Sequence, residues 1–418
     1  MVMKTTIITF VWVAIAVSAI AGNRPKPTPT PTPTPATVGV HGNEPLIAEA
    51  PDGTLYISAL QHIYSSTNSG TTWTELLGPI YASSLNLNSD SSISVDPGNR
   101  LFFTFDYPYA GTTAVCTSDD RGITWKCNPA VVPGGTDRMW TLAPTLTEDY
   151  EVTNQGLYET AFLYSTDRGS SWTPNELGAG LLEPQTGPLL QKTGSSNVLQ
   201  ITKIFGTLPQ ELPELKLYVY SPNTTGSLIA AVRSTGLPIP AALPSAALGH
   251  DGELWVASEQ PNPAGGFSAV LAHSPDEGVT WSKLPPIPAT KTGTATFTWV
   301  ATGRPGHVGV IYYYTPDNGN PGSMTNSTWS AMWAETFNAT SPVPSWTIRT
   351  VEHAVHTGAI CAAAGCSGDN RFAGDFITSL IDSHDVAHLT WMREDMSTKA
   401  TTIRYERIKS SPPIPGKK

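Results

Sequence analysis

Ser118-Asp119-Asp120-Arg121-Gly122-Ile123-Thr124-Trp125 decides the fold, because the phrase is written four times. The other copies are Ser66-Thr67-Asn68-Ser69-Gly70-Thr71-Thr72-Trp73, Ser165-Thr166-Asp167-Arg168-Gly169-Ser170-Ser171-Trp172 and Ser274-Pro275-Asp276-Glu277-Gly278-Val279-Thr280-Trp281. Each has the chemistry of a tight turn: Asp or Asn folds its side chain onto backbone N–H groups, Gly supplies positive φ, and Trp packs between neighbouring sheets. Gly70, Gly122 and Gly169 recur about every 50 residues, and Gly278 follows about two periods later. A decayed copy, Ser221-Pro222-Asn223-Thr224-Thr225-Gly226, fills the gap. A repeat of this length is one four-stranded supersecondary unit, so the chain reads as an all-β propeller of four-stranded blades.

The phrases resemble the Asp boxes (BNR repeats) of the sialidase-like β-propellers, over nearly the whole mature chain. That family includes sialidases, other glycoside hydrolases and proteins with no catalysis, so the resemblance implies a fold before it implies a reaction. A second phrase sets the blade count: an apolar strand, a Gly or Asp turn, and another apolar strand, at residues 46–57, 93–103 and 246–256. Further examples at 140–152, 188–204, 296–313 and 376–391 complete seven units and predict seven blades. Sialidases proper have six, and the wide interval from 296 to 376 leaves six open.

The chain begins with a secretory layout, Lys4 ahead of an apolar run at 5–21 that ends in Ala19-Ile20-Ala21, and residues 1–21 read as a signal peptide. An uncleaved membrane anchor is the alternative. Residues 22–37 read as a linker whose alternating Pro-Thr tract favours extended polyproline II, a stalk if the leader stays in place. One propeller domain is expected over 38–410, with 411–418 a tail. Charged residues are 14% of the chain and the net charge is −10, which argues against nucleic acid and against binding anionic membranes by charge. In an exported chain the four cysteines read as two local disulfides. Cys116 and Cys127 flank the second box symmetrically, and Cys361 and Cys366 could close a small loop. Sequons at Asn223, Asn326 and Asn338 permit surface glycans.

Because the chain alternates direction along each blade, box turns and inner hairpin turns share one face and the starts of the inner strands share the other. In sialidase-like propellers that second face holds the active site, at the mouth of the central channel. Arg121 and Arg168 in boxes, and Arg304 in an inner turn, are thereby set aside. Retained are Glu44, Asp90, Asp137, Arg138, Glu183, Arg371 and Asp375. Carboxylates supply acid, base or nucleophile, and guanidinium groups bind oxyanions bidentately. The candidate catalytic residues are Asp137, Glu44, Glu183 and Asp375, with Arg138, Arg371 and Tyr314 as substrate contacts. The competing reading makes Asp137–Arg138 and Arg371–Asp375 local ion pairs that hold blade entrances, and Asp90 a turn terminator.

True sialidases share an Arg-Ile-Pro motif opening the first blade, an arginine triad gripping the substrate carboxylate, and a Tyr nucleophile assisted by Glu. Here the corresponding place reads Asn43-Glu44-Pro45, so the first arginine is missing. Arg138 and Arg371 offer two of three. Tyr314, in Tyr312-Tyr313-Tyr314, stands where a nucleophile could, against the alternative of half-buried strand packing. His353, His356, His384 and His388 form no His-Glu-x-x-His arrangement, and no phosphate-cradling or dinucleotide loop occurs, so neither metal nor cofactor is expected. Two functions follow. One is a secreted, monomeric glycoside hydrolase acting on extracellular carbohydrate, with paired carboxyls ~5–5.5 Å apart if retaining and ~6.5–9.5 Å apart if inverting. The other is a non-catalytic propeller binding glycan or protein at the cell surface.

Overall fold

The repeated phrase folds the same way each time. The computed structural model of the protein describes residues 35–40, 42–79, 90–107, 112–133, 136–155, 159–176, 185–203, 214–222, 228–240, 242–361 and 371–410. In it Gly70, Gly122, Gly169 and Gly278 each donate N–H to the serine hydroxyl four residues back, at 2.6 to 2.9 Å. That hydroxyl donates to the Asp or Asn carbonyl-type oxygen, which also accepts the N–H of Thr72, Thr124, Ser171 or Thr280. The glycine and its predecessor both have positive φ, and that backbone demands Gly at the second place. A Cβ there would strike the blade before: Tyr405 at Gly70, Leu76 at Gly122, Phe102 at Gly169, Leu217 at Gly278. The turn is thus a packing device between blades.

After edge strand β1 (Ala36–Gly39), the chain forms β2 (Leu46–Glu49), β3 (Leu55–Ala59), β4 (His62–Ser66) and β5 (Thr74–Leu76), a four-stranded antiparallel sheet. The second sheet is β6 (Ser91–Val95), β7 (Leu101–Tyr107), β8 (Thr112–Ser118) and β9 (Lys126–Pro133). The third is β10 (Thr136–Leu142), β11 (Asp149–Gln155), β12 (Glu159–Ser165) and β13 (Thr173–Glu176). The fourth is β14 (Gln185–Leu190), β15 (Val198–Lys203), β16 (Glu214–Tyr220) and β17 (Ile229–Pro238). Then come β18 (Ser245–Leu248), β19 (Leu254–Pro261), β20 (Phe267–Ser274), β21 (Ser282–Lys283), β22 (Thr294–Thr302), β23 (Val308–Thr315), β24 (Thr328–Thr336) and β25 (Thr347–Thr357), joined in one eight-stranded sheet. The last sheet is β26 (Thr378–Ile381), β27 (Val386–Glu394) and β28 (Thr401–Lys409), and β1 closes it by pairing Ala36 with Tyr405. The strand at Ala36–Gly39 therefore takes in the last two residues assigned to the linker.

The expected seven separate blades are corrected by this topology: five separate four-stranded sheets form, and eight further strands make a single sheet. The fusion comes from one parallel bridge, Phe267 to Thr294. Gly266 permits it, because its bare backbone lies against the Gly293 carbonyl where any Cβ would clash. Repeat spacing carries no trace of such a contact. Around the axis the inner strands touch in the order β2, β6, β10, β14, β18, β22, β26 and back to β2.

Apolar faces of neighbouring sheets fill the space between them. Leu101, Phe103 and Phe105 meet Tyr56 and Ile63, with Trp125 of the second box at the margin. The Cys116–Cys127 disulfide crosses β8 and β9 as expected. Cys361 is also disulfide-bonded, while Cys366 lies outside the described residues, as do the leader and stalk through residue 34, residues 223–227 of the decayed box, and the tail from 411.

Buried carboxyls make the fold sensitive to pH. Glu151 of β11 is fully buried, neither carboxylate oxygen has a hydrogen-bond partner, and burial together with nearby Asp106 holds its pKa well above the usual range. The folded chain then binds a proton that the unfolded chain releases above about pH 4.5, so stability falls as pH rises from there toward the raised folded value. Burial acts in the same direction on Asp149, pushed up to about 7. Glu151→Gln should make the decline in denaturant stability above about pH 4.5 shallower, leaving the variant more stable than the wild type at pH 7. An unchanged slope would mean that Glu151 is ionised in the fold.

Candidate active site

Glu44 precedes Pro45 at the start of β2, and its backbone is held at φ 54, a left-handed conformation that a non-glycine residue reaches only under local constraint. The constraints are visible. The Glu44 N–H donates to Asn43 Oδ1 at 3.0 Å, and the Pro45 carbonyl accepts the Thr378 hydroxyl of β26 at 2.7 Å. Gly374, itself at φ 65, packs its bare Cα on the Glu44 side chain, where a Cβ would clash.

Arg138 is presented by a β-bulge. Register passes from Asp137 opposite Asn154 to Trp140 opposite Val152, so Arg138 and Met139 share one partner and Arg138 sits at φ 58. Its guanidinium then gathers three carboxylates from three other blade entrances. Nη1 meets Glu44 Oε2 at 2.8 Å and Asp90 Oδ2 at 3.0 Å, and Nη2 meets Asp375 Oδ2. Arg371 Nη2 donates to the other Asp375 oxygen at 2.8 Å. The Asp375 carbonyl accepts the Leu243 N–H ahead of β18, which ties this loop across the ring.

Burial grades the roles. Glu44, Arg138 and Asp375 are 6%, 9% and 2% exposed, whereas the Arg371 side chain is 38% exposed. Glu44, Asp90, Arg371, Asn43 and Thr401 line a depression of about 400 Å³. Burial pushes the Glu44 carboxyl up to about 8, against the pull of Arg138 and with help from the charge and hydrogen bond of Asp90. Glu44 thus holds its proton at neutral pH, hydrogen-bonded to Asp90 beside an open depression. Arg138, enclosed by three acids of its own chain, positions them. Arg371 is the guanidinium that faces the depression.

An aromatic floor closes the channel beneath. Trp140, Trp299 and Phe376 pack pairwise with ring centroids 5.3 to 5.8 Å apart, and the Trp140 indole donates to the Thr186 carbonyl at 2.8 Å. β10 and β22 are not neighbours around the ring, so the Trp140–Trp299 contact spans the axis. At the same end of the strands, Glu259 accepts the Thr298 N–H and hydroxyl, both at 3.0 Å. Buried Lys203 interacts electrostatically with Glu259, and burial lowers its ammonium to about 8.

Of the predicted residues, Glu44, Asp90, Arg138, Arg371 and Asp375 converge. Asp137 lies in β10 with its side chain outside the described set, and Glu183 lies outside the described residues. Tyr314 is engaged elsewhere: its hydroxyl donates to the Thr292 carbonyl at 3.1 Å and its ring packs with the cluster around Tyr312 and Trp255. The tyrosine run is strand packing, with Tyr313 bonded to the Met392 backbone through its hydroxyl. The arginines set aside do lie with the inner turns, Arg121 on Asp52, Arg168 on Asp96 and Arg304 on Asp385. The sequence reading missed Gly374, the aromatic floor, Lys203 and Glu259. A signal existed for the floor, since Trp140 and Trp299 each follow a bulge by the same interval in β10 and β22.

No protein-family model matches the chain, and no curated protein sequence matches it. Among solved structures the chain is similar to the phage phi92 endosialidase, at 12% identity and TM-score 0.51, over 90% of this chain and 69% of that one. It is also similar to a PL25 ulvan lyase bound to a glucuronate–sulfated rhamnose oligosaccharide, at 10% identity and TM-score 0.52, over 88% and 94%. Both likenesses establish the β-propeller fold.

Proposed function

We propose that this chain is an exported, glycan-active propeller that cleaves a glycosidic bond at the channel mouth by acid–base chemistry. The observation that carries the reading is the Glu44–Asp90 pair: two carboxyls on one guanidinium nitrogen, hydrogen-bonded to each other and lining an open depression, with burial pushing Glu44 up to about 8. Glu44 gives that proton to the leaving glycosidic oxygen as the C–O bond breaks, and Asp90 holds it in place beforehand. A pair in hydrogen-bond contact is too close for the two-carboxyl spacing of either glycosidase class, so it acts as one acid. The base that takes a proton from the attacking water is assigned to Asp137, next to Arg138 in β10. Arg371 contacts substrate and Arg138 is a positioning residue.

Several finer assignments belong with this reading. The eight-stranded sheet counts as two blades, supported by seven inner strands in a closed ring. The four identical turns support membership among the Asp-box propellers. The secretory layout and the Cys116–Cys127 disulfide support export, with the Pro-Thr tract as spacer. Burial of Arg138, Glu44 and Asp375 favours one other reading, in which the cluster only fastens the last blade to the first three and the mouth binds glycan without cleaving it.

The test is release of reducing ends or aryl groups from a panel of polysaccharides and aryl glycosides by the purified chain. Turnover of any one substrate should fall as pH rises past about 8, because Glu44 must be protonated to act. A folded protein that turns over nothing on the panel would leave the binding reading standing alone.

A further inference from the structure

The electrostatics of the mouth name the class of glycan, given that the site is the one just proposed. Specific capture of a carboxylated or sulfated sugar needs a cation free to pair with it. Arg138 is enclosed by Glu44, Asp90 and Asp375. Arg371 is bound to Asp375, and buried Lys203 faces Glu259. Farther out at the same end of the strands, Lys216 pairs with Glu214, Lys399 with Glu394, and Arg393 and Arg404 both with Glu352. Lys291 stands exposed on the turn before β22 and makes no ion pair with the described residues. The undescribed segments between residues 35 and 410 contain no lysine or arginine at all, though they do contain Glu183, Glu211 and Asp369. The chain as a whole carries −10. The depression itself offers groups suited to hydroxyls: the Asp90 carboxylate, the Asn43 amide, the Thr401 hydroxyl and one partly neutralised guanidinium.

We infer that the mouth accepts an uncharged glycan, recognised through its hydroxyls, and discriminates against sugars bearing carboxylate or sulfate. The arginine pair that the resemblance to sialidases offered as a carboxylate clamp is engaged by the protein's own acids. An anionic residue entering the depression would meet Asp90 with one half-committed cation in reserve, and repulsion between like charges works against it. Neutral sugars give up no charge hydration and can donate hydroxyl hydrogens to the acids already there.

Calorimetric titration of the full chain with size-matched oligosaccharides tests this: neutral cello-, malto- and arabino-oligosaccharides against oligosialic acid and oligogalacturonate, at 50 and 300 mM salt. At least one neutral ligand should bind tenfold or more tighter than either anionic one, with little salt dependence. Asp90→Asn should narrow that ratio by removing the acid that repels the anion. Tighter binding of an anionic ligand, lost in Arg371→Ala and weakened by salt, would overturn this inference and leave the glycan site in place. No binding by either class would remove the glycan reading itself, and this inference with it.

Discussion

Arg138→Ala should cost about 3–5 kcal/mol of folding stability, the range expected when one partner of a buried ion pair is removed. The reason is that Arg138 binds three carboxyl groups at once, each brought from a different blade entrance and two of them almost fully buried. Truncation leaves Glu44, Asp90 and Asp375 facing one another with Arg371 as their remaining described guanidinium. Their carboxyls must then take up protons to stay in the fold. The deficit should therefore shrink as pH falls toward 5, because protonated acids no longer repel. Thermal melts at pH 5 and pH 7.5 read both effects, with a fall in melting temperature of about 5 °C at the higher pH for a domain of this size. A variant that melts with the wild type at pH 7.5 would mean that the cluster is solvated and holds nothing together.

Glu44→Gln should lower kcat by about 10²–10⁴ while leaving the fold intact. The separation of the two effects follows from the protonation state. With its pKa pushed up to about 8, Glu44 is a neutral acid at pH 7, and glutamine copies its shape, neutrality and hydrogen-bonding capacity while lacking a transferable proton. The amide can still face Arg138, Asp90 and the bare Cα of Gly374. Kinetics on whichever panel substrate is cleaved, with melting temperature measured alongside, decides the matter. Wild-type turnover in the variant would reduce Glu44 to a ligand of Arg138, and a matching loss of stability would assign it to the lock between blades.

The site was partly legible in the sequence because a topological argument, applied to repeats, predicts which ends of which strands meet. Starts of inner strands converge on the axis whatever their separation in sequence, and this brought Glu44, Asp90, Arg138, Arg371 and Asp375 together on paper. It could not rank them. Asp90 looked like a turn residue in a serine-rich loop, yet it hydrogen-bonds the carboxyl of Glu44. Arg138 looked like a clamp for substrate, yet its charge is consumed inside the protein. Tyr314 satisfied a positional argument but donates to a backbone carbonyl between strands.

The sequence by itself determined the repeating blade, the hairpin hydrogen bonds of the four turns and the Cys116–Cys127 bridge. Each of these is a local matter, settled by residues within about a dozen positions of one another through φ preference, short side-chain hydrogen bonds and strand pairing. Only the tertiary structure decided the fusion of eight strands at Phe267 and Thr294, the closure of β28 by β1, the aromatic floor and the charge state of the acids at the mouth. Those depend on which groups from distant blades end up within a few ångströms and how much water is left between them. Desolvation and Coulomb attraction are set by that separation, and no spacing along the chain encodes it.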